Sequence, residues 1–164
     1  MDDAYSVQAA AADTNDQDGL ETLMALKDGD AFLVADHWGD VKAGADGLFE
    51  RDTRLLSRFV LTVGRARPSR LSSGVTKDNV FFTCHSTNRP LPPMGGRSAP
   101  AGVLHLERRR FLWDRRLFER VRMVNHGVED ILLPLTFEFD ADFADIFQVL
   151  SLIHISEPTR PLYI

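Results

Sequence analysis

The chain has 164 residues and a mass of 18.4 kDa, which is enough for one domain of ordinary size but not for two large ones. Hydrophobic residues make up 44% and charged residues 26%, which excludes a wholly disordered chain, and no apolar run approaches the ~20 residues needed to cross a bilayer. The formal net charge is -5, and the single cysteine, Cys84, excludes an internal disulfide and fits a cytoplasmic location.

The negative charge is concentrated at the N-terminus. Residues 1–30 carry eight acids against one base, a net charge of -7, which leaves +2 for the remainder of a chain whose total is -5. The first 19 residues are rich in Ala, Asp, Asn and Gln, and such a composition buries too little apolar surface to offset the entropy of ordering. We therefore expect residues 1–19 to form a disordered acidic leader.

The part of the chain after the leader predicts a mainly β fold, an antiparallel β-sandwich, because closely spaced glycines and prolines leave room for short strands only. Residues 31–35 and a turn at 37–40 predict a hairpin whose second strand begins at Val41. Proline-rich residues 88–102 predict an irregular loop, and residues 53–59 favour one helical turn. The other predicted strands cover residues 59–63, 80–84, 103–113, 117–126 and 131–140.

The last predicted strand alternates apolar and polar side chains. Leu135, Phe137 and Phe139 fall on one face, because successive side chains of a strand point to opposite sides. We expect this apolar face to lie in the core and the opposite face to be solvated.

The C-terminal segment breaks this strand pattern. Residues 150–160, LSLIHISEPTR, resemble the translation of a transposon-end sequencing adapter over eleven consecutive codons. We therefore expect the native sequence to be cut at about Val149, with what the gene encodes afterwards missing, residues 150–164 to be a non-native tail, and the sandwich to be incomplete. His154 and Glu157, which suggest a metal site, accordingly receive no functional weight.

A first candidate site is the segment GLFERDTRLLSR, residues 47–58. Arg51, Asp52 and Arg54 lie beside apolar Leu48, Phe49, Leu55 and Leu56, so that we expect the guanidinium groups to lie on a half-buried segment. An arginine fork fixes a carboxylate by bidentate hydrogen bonds. The segment therefore predicts either an ion-pair network that holds one loop against another, which we favour, or a polar rim that orients a hydroxyl-rich ligand.

A second candidate is the acidic segment FDADFAD, residues 139–145. If the strand continues, Asp140 and Asp142 share a face with Cα atoms roughly 6.6 Å apart. That spacing falls in the range of glycosidase carboxyl pairs, but two neighbours on one strand do not supply opposite faces of a sugar ring. Solvated acids, or partners for Arg51 and Arg54, are the favoured interpretation.

Other chemistries have weaker support. Residues 107–122 combine seven arginines with three aromatic residues, a pattern that can bind single-stranded nucleic acid, but alternating arginine and apolar residues are also typical of a solvated sheet face, which we favour. Four histidines lack metal-ligand spacing, so no metal or cofactor is expected: His37, His85, His105 and His126.

Several short strings in chain order resemble the N-terminal domain of bacterial glycogen debranching enzymes of the amylo-α-1,6-glucosidase type. The resemblance covers residues 29–149 and rests on GDAFLVAD (29–36), GLFERDTR (47–54), LSR (56–58), LHLER (104–108), RFLW (110–113), NHG (125–127), PL (134–135) and FDADFAD (139–145). It implies a β-sandwich over residues 20–149, placed before an (α/α)₆ barrel that carries the catalytic acids for α-1,6-glucosidic branch points.

The resemblance implies a non-catalytic scaffold, because nothing in this chain corresponds to the barrel. We expect the chain alone to be inactive, to dock on the barrel of the same gene product, and to contribute Arg51, Asp52, Arg54 and Asp142 to glycogen binding at a site the barrel completes. The alternatives are a carbohydrate-binding module, which needs an exposed Trp38 or Trp113, and, less favoured, a nucleic-acid-binding domain. An incomplete sandwich also predicts aggregation.

Overall fold

A computed structural model describes residues 23–42, 44–94 and 97–155 of the chain. The predicted leader, residues 1–19, and residues 156–164 of the predicted tail lie outside these ranges. The described chain forms these strands and one helix: β1 (Met24–Asp28), β2 (Ala31–Ala35), β3 (Gly47–Glu50), β4 (Thr53–Leu56), β5 (Arg58–Val63), β6 (Ser69–Val75), β7 (Phe81–Thr87), β8 (Leu91–Met94), β9 (Arg97–Ala99), β10 (Leu104–Trp113), β11 (Arg116–Asn125), β12 (Leu135–Asp140) and α1 (Ile146–Ile155).

The strands form two four-stranded antiparallel sheets that pack face to face. The first sheet has the order β1-β2-β3-β4 and the second the order β11-β10-β7-β6. Two further pairs, β12-β5 and β8-β9, complete the described strands. The predicted mainly β, antiparallel fold is confirmed, and the sheets remain unclosed.

Two apolar clusters hold the sheets together. The larger joins the inner faces of β1 and β2, through Leu26 and Leu33, to those of β7 and β10, through Phe82 and Leu112. The smaller packs Val63 of β5 against the β8-β9 pair and the start of β10. Removing these side chains from water is the main force that joins the layers, at roughly 25 cal/mol per Å² of apolar surface.

Tight two-residue turns close the β10-β11 and β3-β4 hairpins. Asp114 and Arg115, with φ of 48° and 59°, join β10 to β11, and Arg51 and Asp52, with φ of 45° and 65°, join β3 to β4. Positive φ at both central residues is the type I′ geometry, whose twist matches that of the flanking strands. Both turns use non-glycine residues at a conformation that costs them free energy.

Three local predictions are wrong. The partner of β2 is β1 rather than a strand at Val41, because a two-residue turn at Gly29 brings β1 back onto β2, and Val41 instead bridges to Phe59. Residues 53–56 are strand β4 rather than a helical turn, since the turn at residues 51 and 52 pairs them with β3. The loop predicted at residues 88–102 contains the short β8-β9 hairpin.

The C-terminal end of the described chain also departs from the prediction. Strand β12 pairs with β5, but Phe137 and Phe139 are 37% and 64% exposed, so the face predicted to lie in the core is largely open. The chain then leaves the sheet and forms α1, which passes through Val149 without a break. The boundary predicted at Val149 therefore falls inside a helix, and the non-native origin of residues 150–164 stays a prediction.

Candidate functional site

The four predicted site residues fall into two groups. Arg51 and Asp52 occupy the exposed β3-β4 turn, rather than a half-buried segment, and their side chains make no hydrogen bond or ion pair within the described residues. Arg54 follows on β4 and is only 7% exposed. Asp142 lies in the connection between β12 and α1 and contacts Arg54. The structure therefore brings Arg54 and Asp142 together and leaves the other two at the tip of the hairpin.

Arg54 and Asp142 form a clasp between the β3-β4 hairpin and the connection to α1. The Arg54 Nε donates to both Asp142 oxygens at 3.1 Å, its Nη2 pairs with Asp142 Oδ2, and its Nη1 donates to the Gly44 carbonyl at 2.8 Å. These bonds lower the pKa of Asp142 below its ordinary value, the hydrogen bonds from Arg54 being the largest cause. The pair joins the β3-β4 hairpin to this connection, so the favoured ion-pair interpretation agrees with the structure for Arg54 but not for Arg51 or Asp52.

Backbone hydrogen bonds extend the clasp. The Arg54 amide donates to the Ala144 carbonyl at 2.9 Å, and the Ile146 amide donates to the Asp52 carbonyl at 2.7 Å. The start of α1 is therefore fixed against the β3-β4 hairpin. The chain turns away from the sheet after Asp140, so the condition for Asp140 and Asp142 to share a strand face is not met.

A buried cluster of charged residues, which the sequence analysis did not predict, lies between the two sheets. Arg108 and Arg110 of β10 are 4% and 0% exposed, and both pair with Glu119 of β11. The Glu119 carboxylate accepts from Arg110 Nε at 2.9 Å and Arg110 Nη2 at 2.5 Å, and it also pairs with Arg108 Nε. The interpretation of residues 107–122 as a solvated face is therefore wrong for these two arginines.

The turn that follows β2, residues 36–40, supplies the other half of this cluster. Asp40 accepts from Arg108 Nη1 at 2.6 Å, and Asp36 accepts from Arg67 Nη2 at 2.8 Å. Asp36 also accepts from the backbone amides of Trp38 and Asp40, each at 2.9 Å, which fixes the turn. Carboxylates of the turn therefore compensate guanidinium groups of β10 and of the β5-β6 connection inside the domain.

Burial and pairing shift the pKa values in the cluster in opposite directions. Burial raises the pKa of Asp36, although Arg67 opposes the shift. For Arg110, burial and the neighbouring Arg108 lower the pKa to about 10, and the guanidinium stays charged at neutral pH. For Arg108, burial alone would lower the pKa, but Glu119 and Asp40 outweigh it and raise the pKa. Burial also raises the pKa of the Cys84 thiol to about 11, which makes it a poor nucleophile.

The signal that would have identified the cluster is the register of β10. Leu106, Arg108, Arg110 and Leu112 are two residues apart and so lie on the same face of β10. Because the leucines point into the core, the arginines between them are expected to point inward as well. Their partners lie on other elements, and Asp40 is 68 residues from Arg108 in the sequence. Inward arginines are therefore visible in the pattern, whereas their compensation is not.

The outer face of the second sheet carries a row of aromatic rings. Phe111 and Phe118 stack at 4.8 Å between ring centroids, with Phe81 on one side and Trp113 on the other. Trp113 is 62% exposed, whereas the Trp38 indole donates to the Pro68 carbonyl and is not among the exposed residues. Of the two tryptophans, only Trp113 meets the exposure that a carbohydrate-binding module requires.

Three histidines also lie near one another on this sheet. His85 Nδ1 is 3.2 Å from His105 Nε2, and the His105 and His126 rings are 6.4 Å apart between centroids. No group of three metal-ligating side chains suited to a metal ion occurs in residues 23–42, 44–94 and 97–155. Across the same ranges, every helix is too short or too polar to span a membrane.

An exposed apolar surface, here the β12-α1 surface, follows at the end of the described chain. It comprises Phe137, Phe139, Phe143, Phe147 and Leu150, the last three of which are 68%, 74% and 46% exposed. Phe137 and Phe139 both contact the buried ring of Phe59, at 6.0 and 4.6 Å between centroids, so the surface is anchored on the core. Isolated exposed apolar residues are ordinary, but five within fourteen positions indicate an interaction surface.

Comparison with protein families finds a match. The family described as the N-terminal domain of (some) glycogen debranching enzymes matches residues 26–158. The matched range covers most of the chain, including the clasp, the buried cluster and the β12-α1 surface. No curated protein matches the sequence.

Proposed function

We propose, from the premise that the chain belongs to the family of N-terminal domains of glycogen debranching enzymes, that it is a non-catalytic scaffold on which the catalytic domain of the same gene product docks. The intact enzyme would hydrolyse α-1,6-glucosidic branch points of glycogen or a related branched α-glucan in the cytoplasm. The observation that carries the proposal is the β12-α1 surface, where five large apolar side chains are exposed.

The position of this surface supports docking within one polypeptide. Strand β12 and α1 are the last described elements of the range that matches an N-terminal domain, residues 26–158, so a domain that follows it in the intact enzyme would begin near them. Phe139 and Phe147 expose most of their side chains, and covering rings of this size contributes roughly 1.5–3 kcal/mol each. The Arg54–Asp142 clasp fixes the connection between β12 and α1, which presents the surface in one arrangement rather than many.

The clasp also supports a positioning role for the predicted site residues. Arg54 uses its guanidinium on Asp142 and two backbone carbonyls, so little of it remains for a ligand. Arg51 and Asp52 are exposed and lack side-chain partners within the described residues. We propose that Arg54 and Asp142 orient the docking surface, and that Arg51 and Asp52 face the substrate side of the intact enzyme.

The test uses the continuous gene product, read from an independently assembled genome, beside the 164-residue chain. Hydrogen exchange of residues 137–150 is expected to be much slower in the intact enzyme, because the catalytic domain covers them. Phe139→Ser should lower the melting temperature and the branch-point activity of the intact enzyme, whereas Leu71→Ser, at an equally exposed position on β6, should change neither.

Two results would overturn the proposal. Equal exchange rates of residues 137–150 in both proteins would mean that no domain covers the surface. Release of glucose from a branched dextrin by the 164-residue chain would contradict a non-catalytic role.

A further inference from the structure

Three hairpin turns converge on a cleft at one end of the sandwich. The cleft has a volume of about 460 Å³, within the range of about 300–1,000 Å³ typical of small-molecule sites. It is lined by the β1-β2 turn, the β3-β4 turn and the β10-β11 turn, and by the exposed ring of Trp113. None of the residues of the β12-α1 surface lines it.

The Trp113 ring is a supported platform at the edge of this cleft. Its ring contacts Phe118 at 6.4 Å between centroids, and Phe118 in turn stacks on Phe111 at 4.8 Å. These ring contacts restrict the rotation of the Trp113 side chain, while 62% of the residue stays accessible to solvent. A rigid, accessible indole binds flat ligand faces at low entropic cost.

The polar groups around Trp113 include both donors and acceptors. Asp28, Asp30 and Asp114 have no side-chain partner within the described residues and can accept hydrogen bonds. Arg51 is likewise unpaired within these ranges and can only donate, whereas Arg115 is engaged by Glu50 at 2.5 Å. A ligand that fills this cleft must therefore both donate and accept hydrogen bonds and present an apolar face to the indole.

We propose that this Trp113 cleft binds a pyranose oligosaccharide, whose C–H face stacks on the indole while its hydroxyls pair with the carboxylates and Arg51. A cation is the competing ligand, because the four acids exceed the two arginines, but the unpaired guanidinium of Arg51 repels it. That the oligosaccharide is an α-glucan rests on the proposed function. The cleft would hold a glucan chain away from the β12-α1 surface, on which the catalytic domain is proposed to dock.

The test titrates the 164-residue chain with maltoheptaose and follows tryptophan fluorescence and equilibrium dialysis. A saturable blue shift is expected as the sugar removes water from Trp113. Trp113→Ala should weaken binding by about tenfold or more, which corresponds to about 1.4 kcal/mol. Leu71→Ala, at a position 61% exposed on another strand, is the matched control and should bind as the unmodified chain does.

A second pair of variants separates sugar from cation. Asp30→Asn and Asp114→Asn keep an acceptor oxygen but remove the charge, so maltoheptaose binding should change by less than about threefold. Unchanged binding by Trp113→Ala, no saturable binding, or binding of tetramethylammonium in place of the sugar would each overturn the proposal. Because no residue of the β12-α1 surface lines the Trp113 cleft, the proposals can fail separately. The cleft can fail to bind sugar while the catalytic domain docks, and docking can fail while the cleft binds sugar.

Discussion

The buried pairing of Glu119 with two arginines predicts an unusually large effect of a small substitution. Glu119→Gln removes one charge with little change of shape, but it leaves the fully buried guanidinium of Arg110 without its carboxylate partner, so that the Gly39 carbonyl and the glutamine oxygen are its neutral acceptors. Arg108 retains Asp40. We therefore expect the loss of stability to come from Arg110, because a buried charge without a charged partner destabilises the fold far more than the loss of an exposed ion pair does.

The magnitude follows from the bonds lost. Glu119 accepts one hydrogen bond from Arg108 and two from Arg110, and each charge-assisted bond is worth roughly 1.5–3 kcal/mol. Glutamine keeps one oxygen that can accept, so part of this is retained. The expected loss in the free energy of unfolding is about 3–5 kcal/mol, the range found when one member of a buried pair is removed.

Replacing Arg110 should lower the free energy of unfolding much less than replacing its partner Glu119 does. Arg110→Met takes away the charge that burial penalises, as its pKa of about 10 indicates, and leaves Glu119 paired with Arg108. We expect Arg110→Met to cost less than about 1.5 kcal/mol. Glu138→Gln is the matched control, because its pair with Arg58 is close to half exposed on both sides and should contribute no more than about 1 kcal/mol.

Urea unfolding at sub-micromolar protein, followed by tryptophan fluorescence, measures all three variants. With a slope of about 2 kcal/mol per molar urea, Glu119→Gln should lower the midpoint by roughly 2 M and Glu138→Gln by less than about 0.5 M. Equal midpoint shifts for Glu119→Gln and Arg110→Met would refute the reasoning, because they would show that the pair, rather than the orphaned charge, determines stability.

Two further predictions concern the clasp and a turn. Asp142→Asn should lower the free energy of unfolding by about 1–2 kcal/mol at pH 7, a value discounted for the partial exposure of the side chain. Because the pKa of Asp142 is lowered in the folded state, the stability that its carboxylate contributes is fully present above the ordinary pKa and is lost as the pH falls through the folded-state pKa. Urea midpoints measured across pH should therefore show the difference between the variant and the unmodified chain shrinking below about pH 4. Gly39→Ala should lower the free energy of unfolding by more than Gly29→Ala does in the same assay. Both glycines have positive φ, but only at Gly39 would the new Cβ lie 2.6 Å from the Phe82 ring. Equal losses of stability in the two variants would contradict this.

The long hairpin was predictable from sequence because its signals are local. Strands β10 and β11 are long alternating runs separated by two residues, and Asp114–Arg115 is the turn that antiparallel pairing requires. Strand β1 was missed because Met24–Asp28 adjoins the acidic leader and ends in charged residues. The helix α1 was missed because its sequence, IFQVLSLIHI, is rich in branched apolar residues that favour strands.

The candidate site was predictable only in part, for a physical reason. The pairing of Arg54 with an acid of residues 139–145 was among the favoured interpretations because a buried guanidinium needs a carboxylate, and this segment supplies several. The compensation of Arg108 and Arg110 depends on a turn far away in the sequence. Local periodicity carries no information about such distant partners.

Phe59 links the buried charged cluster to the β12-α1 surface. The guanidinium carbons of Arg110 and Arg108 lie 4.7 and 5.2 Å from the centroid of its ring, and the Phe139 ring stacks on it at 4.6 Å. A cation–π contact strengthens from about 0.5–1 kcal/mol when exposed to about 2 kcal/mol when desolvated. Covering Phe139 with a docked domain would hold its ring on Phe59, whose own ring is already buried. The interactions that stabilise the fold and those that bind the catalytic domain would then reinforce one another, because both include contacts of the Phe59 ring.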